Sequence, residues 1–162
     1  MKEQFTFFWS GVFSQWAKTP FTDANGITFN CAEQYMMWSK AKLFSDEETA
    51  EQILKTSNPR DQKALGRKVK GFVDEVWKDN AKPIVRNGNI YKFTQNFEAR
   101  KALLATVGTT LVEASPYDRL WGIGLTEDDE RALDRSTWRG ENWLGEILTE
   151  VRDVIIREEL ND

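Results

Sequence analysis

The last stretch of the chain carries its firmest structural constraint. Leu144, Ile147, Leu148, Val151, Val154 and Ile155 recur at 3.6-residue spacing, which predicts an amphipathic helix over residues 143–158. A helix with one apolar face has to be covered by another element. Residues 5–9 and 27–30 are rich in Phe, Thr and Ile, and with 109–114 they read as short strands, the first two flanking a turn region at Pro20 and Asn25-Gly26. Between them lie helix starts. Asn30 reads as an N-cap with Glu33 at the third helical position and a helix to about Phe44. Ser45 to Glu48 forms a capping-box pattern opening a helix to about Thr56, and Asn58-Pro59 is a third start. Residues 81–94 read as helix despite Gly88, and Asn96 caps a helix through about Val107, stopped by Gly108. The sum is a helix-dominated α+β fold, one domain over 1–162, with a small β-sheet.

Composition removes several chemistries. The chain has 162 residues, no histidine and a single cysteine, Cys31. That excludes Ser-His-Asp and Cys-His catalysis, histidine zinc sites and an internal disulfide. Acid–base chemistry must then use carboxylates, lysine, tyrosine, water or the substrate. A net charge of -4 lacks the basic footprint of a general nucleic-acid binder. No run approaches a membrane span, and MKEQFTFFWS lacks a secretory apolar core, so the expected compartment is the cytoplasm. Glu127-Asp128-Asp129-Glu130 lacks the alternating spacing of a calcium loop, and GRKVKG lacks that of a phosphate-binding loop. No metal and no cofactor are expected.

Chemistry concentrates in Leu111–Leu125, LVEASPYDRLWGIG followed by leucine. Glu113 and Asp118 stand five residues apart, and Trp121-Gly122-Ile123-Gly124 follows at once. Acid groups, an indole able to cover a ring and glycines allowing close backbone approach suit a pocket wall. Glu33 lies far upstream, on a helix whose register places Met37, Lys40 and Phe44 on the same face. The expectation is that Glu33, Glu113 and Asp118 meet in one cleft. Each also has a structural reading: Glu33 and Asp118 as caps, Glu113 as a strand-end residue, Asn142 as the cap of the last helix.

Five ordered blocks, AEQYMMWSKAKLF, NPRDQKALGR, YKFTQN, LLATVGTTLVEASPYDRLWGIG and GENWLGEILTEVR, resemble the NADAR superfamily, which includes the YbiA-like N-glycosidases. The likeness runs from about Phe7 to Arg157. It implies a helix-dominated α+β fold and hydrolysis of N-glycosidic bonds to ribose. One branch cleaves ribosylamino-pyrimidine phosphates of riboflavin biosynthesis. The other removes ADP-ribose from modified bases, notably guanine in DNA; a silent ADP-ribose or nucleotide-binding module is the rival from another class. The chain has Glu33-Gln34-Tyr35 where many members have Glu-His-Tyr, and Ser14-Gln15-Trp16 where many have Ser-Asn-Phe.

Carried onto this chain, the resemblance makes Glu33, Asp118 and Glu113 candidate catalytic groups around an oxocarbenium-like transition state. Trp121, Tyr35, Gln15, Trp16, Gly122 and Asn142 become substrate-binding candidates. Substrates of both branches carry phosphate, which nominates Lys40, Arg67 and Lys92 as its ligands. The implied partners are a phosphorylated ribosyl N-glycoside, an ADP-ribose-containing small molecule or an ADP-ribosylated nucleic acid, and no membrane.

Overall fold

The computed structural model describes residues 2–161. The elements in order are β1 (Phe5–Phe8), β2 (Phe21–Thr22), β3 (Thr28–Phe29), α1 (Ala32–Leu43), α2 (Glu47–Leu54), α3 (Pro59–Gly66), α4 (Asp74–Gln95), α5 (Phe97–Leu104), β4 (Thr110–Glu113) and α6 (Trp143–Asn161), with 3₁₀ turns at Glu130–Leu133 and Arg135–Thr137. The expected helix-dominated α+β class is observed, its strands forming one parallel pair and one antiparallel pair. The chain gathers into two compact units, Met1–Ser14 with Glu98–Asp162, and Gln15–Phe97.

In the first unit, β1 and β4 pair in parallel, from Phe5 with Thr110 to Phe8 with Glu113. A parallel pair needs a long crossover, and here all the chain between the two strands supplies it. Leu111 and Val112 point to opposite faces of β4 and are both fully buried, so the strand is covered on each side. Helix α6 packs on β4 and buries Leu144, Ile147, Leu148, Val151 and Ile155. Val112 joins Ile123, Leu125 and Ala132, against which Phe5, Phe7 and Trp138 pack. Arg152 is buried within the apolar stripe of α6 because its guanidinium donates to the carbonyls of Thr106 (3.0 Å) and Thr109 (2.7 Å) beyond the end of α5.

In the second unit, α1 packs against α2, α3 and α4. Its start differs from the sequence reading. Cys31 occupies the N-cap without a side-chain cap bond, and the Asn30 side chain instead donates to Ser57 O and accepts from Gln62. The reach-back bond comes from Gln34, whose Oε1 accepts the Asn30 N–H at 2.7 Å. Helix α2 is capped by Asp46, not Ser45, because Ser45 turns left-handed at φ 59 and hands the cap position on by one residue. Asn58 caps α3 as expected. Helix α4 starts well before residue 81 and carries Pro83 inside it. In its first two turns only Trp77 and Ala81 are buried, which leaves almost no periodic signal there. Gly88 sits inside α4 for a packing reason: an added Cβ would lie 2.6 Å from the Tyr35 ring. The β2–β3 hairpin is closed by Asp23, whose Oδ1 accepts the N–H groups of Asn25 and Ile27.

Candidate active site

Gln15, Trp16, Glu33, Tyr35, Lys40, Arg67 and Lys92 all fall within Gln15–Phe97. Glu33 lies in the first turn of α1 and is 6% exposed, with the positive end of the helix dipole at its carboxylate. Its backbone N–H donates to Gln15 O at 2.9 Å. Lys92, on α4, is fully buried; desolvation pushes its amine down to about 7, partly opposed by the Cys31 thiol. Burial raises Cys31 to about 11, with the Glu33 charge adding to the rise and Lys92 opposing it. A carboxylate, an amine and a thiol thus share one electrostatic neighbourhood at the junction of α1 and α4. The Cys31 thiol donates to Gln62 Oε1 at 3.2 Å.

Lys40 is half-buried, its amine 4.6 Å from the Phe72 ring centroid and 5.5 Å from that of Trp77. Burial lowers its pKa; Glu33 opposes the shift and Arg67 reinforces it. Lys40, Arg67 and Glu33 therefore act on one another, whereas Lys92 lies inside the unit away from solvent. Tyr35 is held in an aromatic cluster with Phe21, Phe29, Trp38 and Tyr91, and burial raises its pKa. Trp16 and Arg67 are exposed.

Glu113, Asp118, Trp121, Gly122 and Asn142 lie in the other unit. Asp118 Oδ1 accepts the N–H groups of Leu120 (2.9 Å) and Trp121 (2.8 Å), the capping role that was its structural reading. A Cβ on Gly122 would stand 3.0 Å from the carbonyl oxygens of both Asp118 and Glu113, so this glycine lets the carboxylate-bearing turn close. Trp121 packs edge-on against Trp143, ring centroids 5.4 Å apart. Asn142 holds a left-handed backbone (φ 55) and is fully buried. Its Oδ1 accepts the Glu113 N–H and its Nδ2 donates to Leu111 O, so both polar ends serve β4; the helix-capping acceptor for Glu146 N–H is its backbone oxygen.

Asn89 went unnoticed in the sequence. It is fully buried on α4, one turn before Lys92, and donates to Gln15 Oε1 at 3.0 Å and Val85 O at 2.8 Å. The available signal was a polar pair, Asn89 and Lys92, on the same stripe as Val85 and Phe93.

The NADAR domain family matches residues 7–156, a span that runs through both units. The chain belongs to the NADAR domain family. Protein irg-1 of Caenorhabditis elegans is 46% identical over 129 residues, 78% of this chain and 61% of that protein, so the chain spans less than two thirds of it. N-glycosidase R617 of Acanthamoeba polyphaga mimivirus is 41% identical over 146 residues, 88% of this chain and 86% of that one. The NMR structure of E. coli YbiA aligns with a TM-score of 0.80 at 29% identity, over 100% of this chain and 90% of that one. Among the described residues no helix is long and apolar enough to cross a membrane.

Proposed function

We propose that this NADAR chain is an N-glycosidase that splits the bond between a heterocyclic base and C1 of a phosphorylated ribose, with ribosylamino-pyrimidine phosphates as the substrate class. The observation that carries the reading is the burial of Glu33 and Lys92 around one thiol where α1 packs on α4. As the base departs, positive charge grows on C1 and the ring oxygen. A carboxylate withdrawn from water stabilises that charge more strongly than a solvated one. An amine whose pKa is lowered to about 7 is mostly uncharged above that pH, as a base or nucleophile has to be. Lys40 and Arg67 hold the phosphate. The N-glycosidase names of R617 and of E. coli YbiA, both similar to this chain, support the bond class.

The test is incubation with a ribosylamino-pyrimidine phosphate and, separately, with DNA bearing ADP-ribosylated guanine, the released sugar being identified by mass spectrometry. Ribose 5-phosphate from the first is the expected result. Release of ADP-ribose alone moves the substrate to the second class. Saturable binding without release from either overturns the enzyme reading.

A further inference from the structure

One buried polar atom in Gln15–Phe97 is unexplained by the packing. Among the described residues, Asn89 Oδ1 has no hydrogen-bond partner, although the residue is fully buried. A buried acceptor without a donor costs about 1–3 kcal/mol, and buried polar groups are satisfied in the great majority of cases. The orientation of the amide is settled by its other end, since Nδ2 donates to both Val85 O and Gln15 Oε1 and only a donor can do so. The partner amide mirrors this. Gln15 Oε1 is engaged by Asn89, while its Nε2 has only the Met36 sulfur at 3.9 Å, a weak acceptor. The two side chains thus form a locked pair that leaves one acceptor and one donor.

We propose that this Asn89–Gln15 pair reads the 2-hydroxyl of the ribose, Asn89 Oδ1 accepting its proton and Gln15 Nε2 donating to its oxygen. A hydroxyl is the group that satisfies an acceptor and a donor at once. The pair is tied to the candidate chemistry at both ends. Gln15 O accepts the Glu33 N–H, and Asn89 precedes Lys92 by one helical turn, about 5 Å along α4. The proposal places C1 of the sugar beside Glu33 and Lys92 and its C2 hydroxyl on the pair. The inference rests on the N-glycosidase reading and adds a specificity: ribosyl over 2-deoxyribosyl substrates. Polar groups built to hydrogen-bond a hydroxyl reject the analogue lacking it far more strongly than an apolar pocket rejects a missing methylene.

Two measurements separate this inference from the reading beneath it. Turnover is compared on a ribosyl and a 2-deoxyribosyl phosphate of one base, and the affinities of ribose 5-phosphate and 2-deoxyribose 5-phosphate are measured calorimetrically. The wild-type chain is expected to favour ribose by roughly 10²-fold or more in kcat/KM. Asn89→Leu, which keeps the volume and removes both the leftover acceptor and the Nδ2 donor that holds Gln15, brings the ratio to within about 3-fold of unity by lowering ribosyl activity far more than 2-deoxyribosyl activity. A merely structural role lowers both activities together. Should Asn89→Leu not fold, Gln15→Met, which removes the donor from the half-buried partner, is read on the same ratio. Hydrolysis of both sugars at equal rates with equal product affinities overturns the proposal and leaves the N-glycosidase reading standing. Absence of any hydrolysis overturns that reading; a preference for ribose 5-phosphate that Asn89→Leu abolishes would then still support the hydroxyl contact.

Discussion

Asn142 Oδ1 accepts the backbone N–H of Glu113 at 2.9 Å, while the same side chain donates to Leu111 O at 3.1 Å. One buried amide thus clips the start of α6 onto β4 and fixes the strand end that carries Glu113. Asn142→Ala leaves the Glu113 N–H without that acceptor, at about 1–3 kcal/mol per unsatisfied group. Gly145→Ala meets the same junction sterically, since its Cβ would lie 2.2 Å from Leu111 O, a backbone atom that cannot swing aside. Urea denaturation is expected to show about 3 kcal/mol lost for either variant. Parental stability of both would remove this amide from the framework of the fold.

Glu33→Gln should separate chemistry from capping. The reach-back bond at the start of α1 is made by Gln34, so replacing Glu33 does not unmake it. The expected result is near-parental thermal unfolding with kcat lowered roughly 10²–10⁴-fold, the scale of a positioned acid or base. Full turnover by a folded variant sinks the assignment.

Asp118 offers a cleaner division still. Its Oδ1 caps two N–H groups, and asparagine has the same oxygen without the charge. Asp118→Asn should therefore keep the turn and, if Asp118 is the catalytic group the family resemblance implies, reduce turnover; the expected fall is roughly 10²-fold, and parental turnover removes Asp118 from the candidates. Asp118→Ala should lose stability as well, by about 1 kcal/mol for the lost cap. Circular dichroism melts beside initial rates read both effects.

Lys92 makes stability depend on pH in a calculable sense. Its folded pKa is about 7 against 10.5 for an unburied lysine. Between those values the unfolded chain holds a proton that the folded chain lacks, so stability rises with pH. The stability difference between the parent and Lys92→Met should shift in the parent's favour from pH 7 to pH 9, by up to about 1.4 kcal/mol per unit, and flatten below pH 7. Cys31, raised by burial from 9.0 to about 11, acts in the opposite sense only above pH 9. Identical pH profiles for the two proteins would mean that Lys92 keeps its charge in the fold.

How legible all this was depended on whether a signal was local. The stripe from Leu144 to Ile155, the Asn58-Pro59 start and the strand around Leu111 depend on neighbours a few residues away, and they are found where the spacing put them. The start of α1 was misplaced because Asn30 finds distant partners in Ser57 and Gln62. The early turns of α4 were missed because their exposed residues carry no period. Glu33, Lys40 and Asp118 were visible as residue types in a resembling pattern. The burial that pushes the Lys92 amine down to about 7 was not, since it arises from helices packed across the unit. Asn89 was hidden for the same reason: only the fold reveals that one amide oxygen is left over.

The parallel pairing of Phe5 with Thr110 has a consequence for how the protein is made. A ribosome releases β1 before β4, and every helix from α1 to α5 emerges between them. Through that interval the nascent β1 presents an open backbone edge, the kind that invites pairing with other chains. Any truncation ending before Thr110 makes that wait permanent, and such products should be recovered as aggregates.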